Sequence, residues 1–215
     1  MGFSLIARVL VSAWLVYLAI VDVRRSSLPH WATTIPVLII GGAAAVVGVG
    51  ELIFPTVLRA PLDWGVYDAL ALGLAFLAIL LSDTAAALVP GTAAVALAAA
   101  LGSAQGRTAV FGWLVSLAMS RAGVFGAGDA KVIMILLALY PDPRLAGILL
   151  AACGVVGTVL LVRKVGGAAP LLVQRVVKDG LAGSLPARTG EEGVIAIPLT
   201  PVLAAGALIH LWLVV

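Results

Sequence analysis

Phe125-Gly126-Ala127-Gly128-Asp129-Ala130-Lys131 opens directly into the apolar run from Val132 to Tyr140. A carboxylate at the head of such a run is costly unless it has water, a partner or a function. How costly depends on the solvent around the chain, and the composition answers that. Hydrophobic residues make up 63% of the 215 residues and charged residues 11%. The mean hydropathy is +1.21. A soluble domain is about half apolar and about a quarter charged. A chain of this size cannot hide so much apolar surface inside itself, so lipid must be the solvent for most of it. The expectation is an all-α polytopic membrane protein.

Outward from the opening stretch, apolar segments alternate with polar punctuation. The pattern predicts spans at residues 3–21, 32–50, 66–81, 84–103, 107–120, 129–140, 145–162 and 193–214. That makes about 8 transmembrane helices, or 6 if residues 84–121 do not form a spanning hairpin. Pro29 stops a continuous helix after the first span, and Tyr140-Pro141-Asp142-Pro143-Arg144 is a proline-punctuated turn. The first span lacks a basic leader and a small-x-small cleavage site, so it reads as an uncleaved helix rather than a signal peptide. Residues 1–215 form a single membrane domain whose one sizeable polar segment is a loop at about 163–192. Within that loop, Pro170 to Val177 is amphipathic enough to lie on the membrane surface.

Basic residues set the orientation. If the loop after the first span is cytoplasmic, that face collects Arg24, Arg25, Arg121, Lys131, Arg163, Lys164, Arg175, Lys178 and Arg188. The other face receives Arg8, Arg59, Arg107 and Arg144. The same assignment puts Asp22, Asp83 and Asp129 on the cytoplasmic side. An even number of crossings separates Asp22 from Asp129, whether four or two.

Several function classes drop out. The basic residues form no stripe, so the formal charge of +3 does not point to nucleic acid. The single cysteine, Cys153, excludes an internal disulfide and a Cys-x-x-Cys zinc module. His30 and His210 cannot assemble a metal cluster, and neither has a nucleophile partner of the Ser-His-Asp kind. No cofactor is expected.

The chemistry that remains belongs to paired carboxylates. In a two-aspartate hydrolase one group is ionised and acts as general base while the other is protonated and acts as general acid. The pair activates a water between them and titrates as a unit. Helix ends at a membrane surface supply that water. Asp129 fits: Gly126 and Gly128 strip side chains from around it, allowing a sharp turn and close approach of a substrate chain. It also stands at a helix start, whose dipole favours negative charge. Lys131 can steady the local charge or meet a lipid headgroup. Asp22 ends the first span on the same face. Read alone, Asp129 is equally a capping residue in a glycine loop, and Asp22 a carboxylate incidental to a stop-transfer flank. Asp83 is the rival partner for Asp129, and Asp68 reads as interfacial near the outer face. Trp31, Trp64 and Trp212 lie near span ends, where interfacial anchors belong, while Trp14 and Trp113 fall inside spans and read as packing residues.

Taken together, Gly126-Ala127-Gly128-Asp129-Ala130-Lys131 resembles the Gly-x-Gly-Asp-x-Lys motif of type IV prepilin and preflagellin peptidases. Asp22 with Leu28-Pro29 resembles that family's Asp-x6-Pro segment, with His30 where Asn is usual. Ile197-Pro198-Leu199-Thr200-Pro201 is similar to its C-terminal Ile-Pro-Phe-Gly-Pro stretch, with Thr in place of Gly. The resemblance implies an aspartic endopeptidase with Asp22 and Asp129 as the catalytic pair. Gly126, Gly128, Lys131 and Pro29 would be supporting motif positions. Its partners would be prepilin-like or pseudopilin precursors of pilus or secretion systems. The short basic leader would be removed at the cytoplasmic face of the inner membrane, typically after a glycine. Long members of the family carry an N-terminal Cys-x-x-Cys segment associated with N-methylation. This chain begins at its first span, so the expectation is peptidase without methyltransferase activity.

Presenilin-like proteases share a Gly-x-Gly-Asp signature, but their Tyr-Asp and Pro-Ala-Leu patterns are not placed correctly here. From another class, a small transporter or assembly scaffold could use Asp22 and Asp129 as an ion or proton site. The sequence does not fix the oligomeric state.

Overall fold

The computed structural model describes residues 5–25, 28–53, 65–82, 84–121, 126–165 and 199–214. Among these residues the chain is all-helical. Eight α-helices occur: α1 Leu5–Arg25, α2 His30–Ile53, α3 Val66–Leu80, α4 Leu88–Leu101, α5 Ala104–Arg121, α6 Ala127–Leu139, α7 Pro143–Val165 and α8 Thr200–Ile209. A short 3-10 turn, Ala85–Ala87, precedes α4, and a π-turn, His210–Val214, follows α8. Two helices near the N-terminus, α1 and α2, are long and apolar enough to cross a bilayer. Asp83, Trp64 and most of the polar segment at 163–192, with its amphipathic stretch, lie outside the described residues.

The centre of the bundle is α6. Every residue from Val132 to Ala138 is buried, so the helix has no exposed face along this stretch. A helix apolar all round is a core helix. At 13 residues it is only about 20 Å long. One hydrophobic core lies on the side of α6 facing α1, α7 and α8, with Leu15, Leu18, Leu136, Leu149 and Leu203. The other faces α2, α3, α4 and α5, with Ala44, Leu72, Ala94, Val110 and Trp113. Hence the α4–α5 hairpin is no appendage. Its α5 forms one wall around α6, with α4 packed behind on α3 and α5.

Small residues allow the close contacts within that second core. A Cβ on Gly48 would come within 2.7 Å of the Leu70 backbone nitrogen, and one on Gly73 within 2.8 Å of Ala45 Cα. Helix backbones touch there because no side chain intervenes. The outward faces remain apolar: Leu5, Ile6, Leu10, Ile39, Val46, Leu88 and Val89 are all exposed.

Proline inside α2 creates a specific debt. Pro36 has no N–H, so it cannot make the helix bond to the carbonyl of Ala32. Ala32 is buried, and a buried carbonyl needs a partner. Trp14 on α1 supplies it, its indole Nε1 donating to the Ala32 carbonyl at 3.1 Å. Trp14 is therefore more than a packing residue. Trp14→Phe keeps the ring but strands the carbonyl, and should destabilise the fold by about 1–3 kcal/mol. Pro36→Ala restores the missing helix donor, so the double variant should recover much of the loss. Unfolding midpoints of the three variants in detergent check this. Equal losses in the single and double variants would rule the explanation out.

The end of the bundle away from Asp129 is closed by polar contacts. Arg8 on α1 donates from Nη1 to the Leu211 carbonyl at 3.3 Å. Asp142 accepts the Arg144 N–H at 2.8 Å, capping α7 ahead of Pro143. The fully buried His210 places Nε2 3.3 Å from Asp142 Oδ2. Asp68 at this same end is buried. It accepts the Ser103 N–H at 2.8 Å, and its carboxylate fills the space where Gly106 lacks a side chain. Asp68 is thus a structural tie between the starts of α3 and α5.

Candidate aspartate site

Three helix ends meet at the other end of the bundle. Asp22 lies one turn before the end of α1 and is buried. Asp129 is the third residue of α6, and Thr200 is the first residue of α8. The first amides of any helix have no partner within it. Here the Thr200 N–H turns to Asp22 and donates to Oδ2 at 3.3 Å. The Thr200 hydroxyl donates to Asp129 Oδ1 at 2.8 Å. One fully buried threonine therefore touches both carboxylates. The two are near enough to act on each other electrostatically.

The sequence places these groups where they are. Pro201, at the second position of α8, has no N–H to satisfy and presets a helical φ. The Thr200 N–H ahead of it is the first amide of the helix and takes its partner from outside the helix. At α6, the Asp129 carboxylate turns back toward the Gly126 backbone N–H, as a third-position acid does in a capping box. Two helix N-termini point at the pair, and such termini favour negative charge.

The glycines serve a purpose different from the sharp turn expected of them. Gly126 has φ −69° and ψ 154°, a conformation open to any residue. What matters is space. A Cβ on Gly126 would lie 3.2 Å from Asp129 Oδ2, and one on Gly128 would lie 3.0 Å from Leu28 Cδ1. Leu28 thus packs onto Gly128, so the segment before Pro29 and the glycine-aspartate segment touch directly.

Pro29 opens α2. Its carbonyl accepts the Ala32 N–H at 3.1 Å and the Thr33 hydroxyl at 3.4 Å. Lys131 has a protein partner: its Nζ donates to Thr34 Oγ1 at 2.8 Å, tying α6 to α2. All six sequence-selected positions thus lie on the elements that build this end of the bundle. Only Asp22 and Asp129 converge on a common residue. Thr200 was not singled out for a role. Its signal was the Leu199-Thr200-Pro201 order, a donor residue just ahead of a proline at a helix start.

Two carboxylates from distant helices each accept one hydrogen bond from the same residue at a junction of helix ends. Among the described residues no group of three or more His, Cys, Asp or Glu could hold a metal ion. The chain matches no family model, no curated protein and no solved structure.

Proposed function

We propose that this chain is a polytopic membrane aspartic endopeptidase that removes the short basic leader from prepilin-like precursors. The observation that carries the reading is the bridge from Thr200 to both Asp22 and Asp129. It joins two carboxylates, at residues 22 and 129, through one buried residue at a helix start. The apolar outward faces support a chain embedded in lipid with about eight spans, the two long N-terminal helices among them. The bias of basic residues favours an aspartate site facing the cytoplasm, and the resemblance to prepilin peptidases implies the inner membrane.

In the proposed reaction the ionised carboxylate takes a proton from a water lying between the pair. The water oxygen attacks the scissile carbonyl carbon while the protonated carboxyl gives its proton to the carbonyl oxygen. The resulting diol collapses, the C–N bond breaks, and the amine leaves with a proton relayed by the pair. The proton count is unchanged over the cycle, and no cofactor enters.

The test is purified protein in detergent with a prepilin-like precursor carrying a short basic leader and a hydrophobic helix. The expected product is the precursor shortened by its leader. An intact precursor, together with proton or cation flux in proteoliposomes, would establish the transporter reading in its place.

A further inference from the structure

We infer that Thr200 is the positioning residue of the aspartate pair, holding Asp129 through its side chain and Asp22 through its backbone. This rests on the peptidase reading above and deepens it. The hydroxyl is 2.8 Å from Asp129 Oδ1, the backbone N–H is 3.3 Å from Asp22 Oδ2, and the residue is fully buried. A threonine hydroxyl has one proton to donate. Its donation to Asp129 fixes which oxygen of that carboxylate stays available, and so fixes the rotation of the group.

The two arms differ in kind. The backbone arm to Asp22 survives any side-chain change except proline. The hydroxyl arm to Asp129 can be removed by itself. Burial matters as well: Thr200 is fully buried, so its hydroxyl is fixed among protein neighbours rather than turned to solvent. The α8 N-terminus thus acts as a clamp between α1 and α6, setting the separation across which a water must be shared. A pair held within a fraction of an ångström of the productive geometry reacts much faster than one left to drift.

Hydroxyl and methyl roles are separable by substitution. Thr200→Val keeps the methyl and puts a second methyl in place of the hydroxyl. Thr200→Ser keeps the hydroxyl and removes the methyl. Steady-state cleavage of the same precursor by purified variants should show Thr200→Val with kcat about 10- to 100-fold lower and KM little changed, the cost of one hydrogen bond to a charged group. Thr200→Ser should retain most of the wild-type kcat. A residue needed only for packing predicts the opposite order, with Ser worse than Val. If Thr200→Val fails to fold, Thr200→Ser and Thr200→Ala form the comparison, since both lack the methyl and differ by the hydroxyl alone.

Equal kcat for Ser and Ala, or for wild type and Val, overturns the inference. Asp129→Asn run alongside keeps the two levels apart. If it cleaves at the wild-type rate, the aspartate pair is not the catalytic centre; if the wild type itself leaves the precursor intact, the peptidase reading fails. If Asp129→Asn is inactive while Ser and Ala are equal, only the role of Thr200 fails.

Discussion

Asp129→Asn is expected to lower precursor cleavage by about 10²–10⁴-fold, the usual contribution of general acid–base catalysis, while the precursor still binds. The substitution is nearly isosteric. The amide oxygen can still accept the Thr200 hydroxyl, which now reaches Asp129 Oδ1 at 2.8 Å, so the local structure has no reason to collapse. What is lost is the exchangeable proton. Asp22→Asn should be as severe for the same reason, because each carboxylate is useful only with the other in the complementary protonation state. The sharper expectation concerns the double variant. Residues that act as a unit are not additive, so removing both should cost about as much as removing one. The measurement is the time course of product from matched amounts of folded protein. Wild-type turnover in either single variant would exclude the pair. A double variant as slow as the product of the two single losses predicts would argue for independent roles.

The sequence made the helix order legible because apolar runs and their proline or charged punctuation are strong signals in so hydrophobic a chain. All eight observed helices overlap the eight apolar segments read from the sequence. It also brought Asp22 and Asp129 to one end of the bundle, since helix number fixes which ends can meet. Contacts that depend on the third dimension were not legible. The Trp14 bond to the Ala32 carbonyl needs both the proline defect in α2 and the rotation of α1. The burial of Asp68 depends on α5 starting beside α3, which no local pattern reveals. Gly126 suggested a turn because glycine permits one, yet its backbone is ordinary and its role is clearance for Asp129. Thr200 was visible only as a departure from a motif. Its meaning emerged once the N-terminus of α8 was set against two carboxylates from distant helices.

Trp113→Ala should cause the largest loss of stability of any single substitution in the α5–α6 contact. Trp113 is fully buried, and its Nε1 donates to the Met134 carbonyl at 2.7 Å. Beside it, Leu137 of α6 occupies the space that a side chain on Gly112 would need, so the two helices are in close contact at this level. Truncating a buried Trp to Ala costs roughly 3–5 kcal/mol in soluble cores through lost contacts and the cavity left behind. In lipid, the separated helices are already out of water, so the transfer part shrinks and packing dominates. The expected loss therefore sits near the lower end of that range. Trp113→Phe isolates the hydrogen bond. The Met134 carbonyl is within α6 and keeps its helix partner, Ala138, so the net cost should be only about 0.5–1.5 kcal/mol. Unfolding midpoints in detergent, with cleavage measured on the folded fraction, separate the two effects. Trp113→Ala should lower the midpoint far more than Trp113→Phe, and precursor turnover should fall with it, because α6 carries Asp129 and α5 is one of its walls. A Trp113→Ala protein that unfolds at the wild-type midpoint would mean that α5 does not brace α6, and Asp129 would have to be held by the other helices around it.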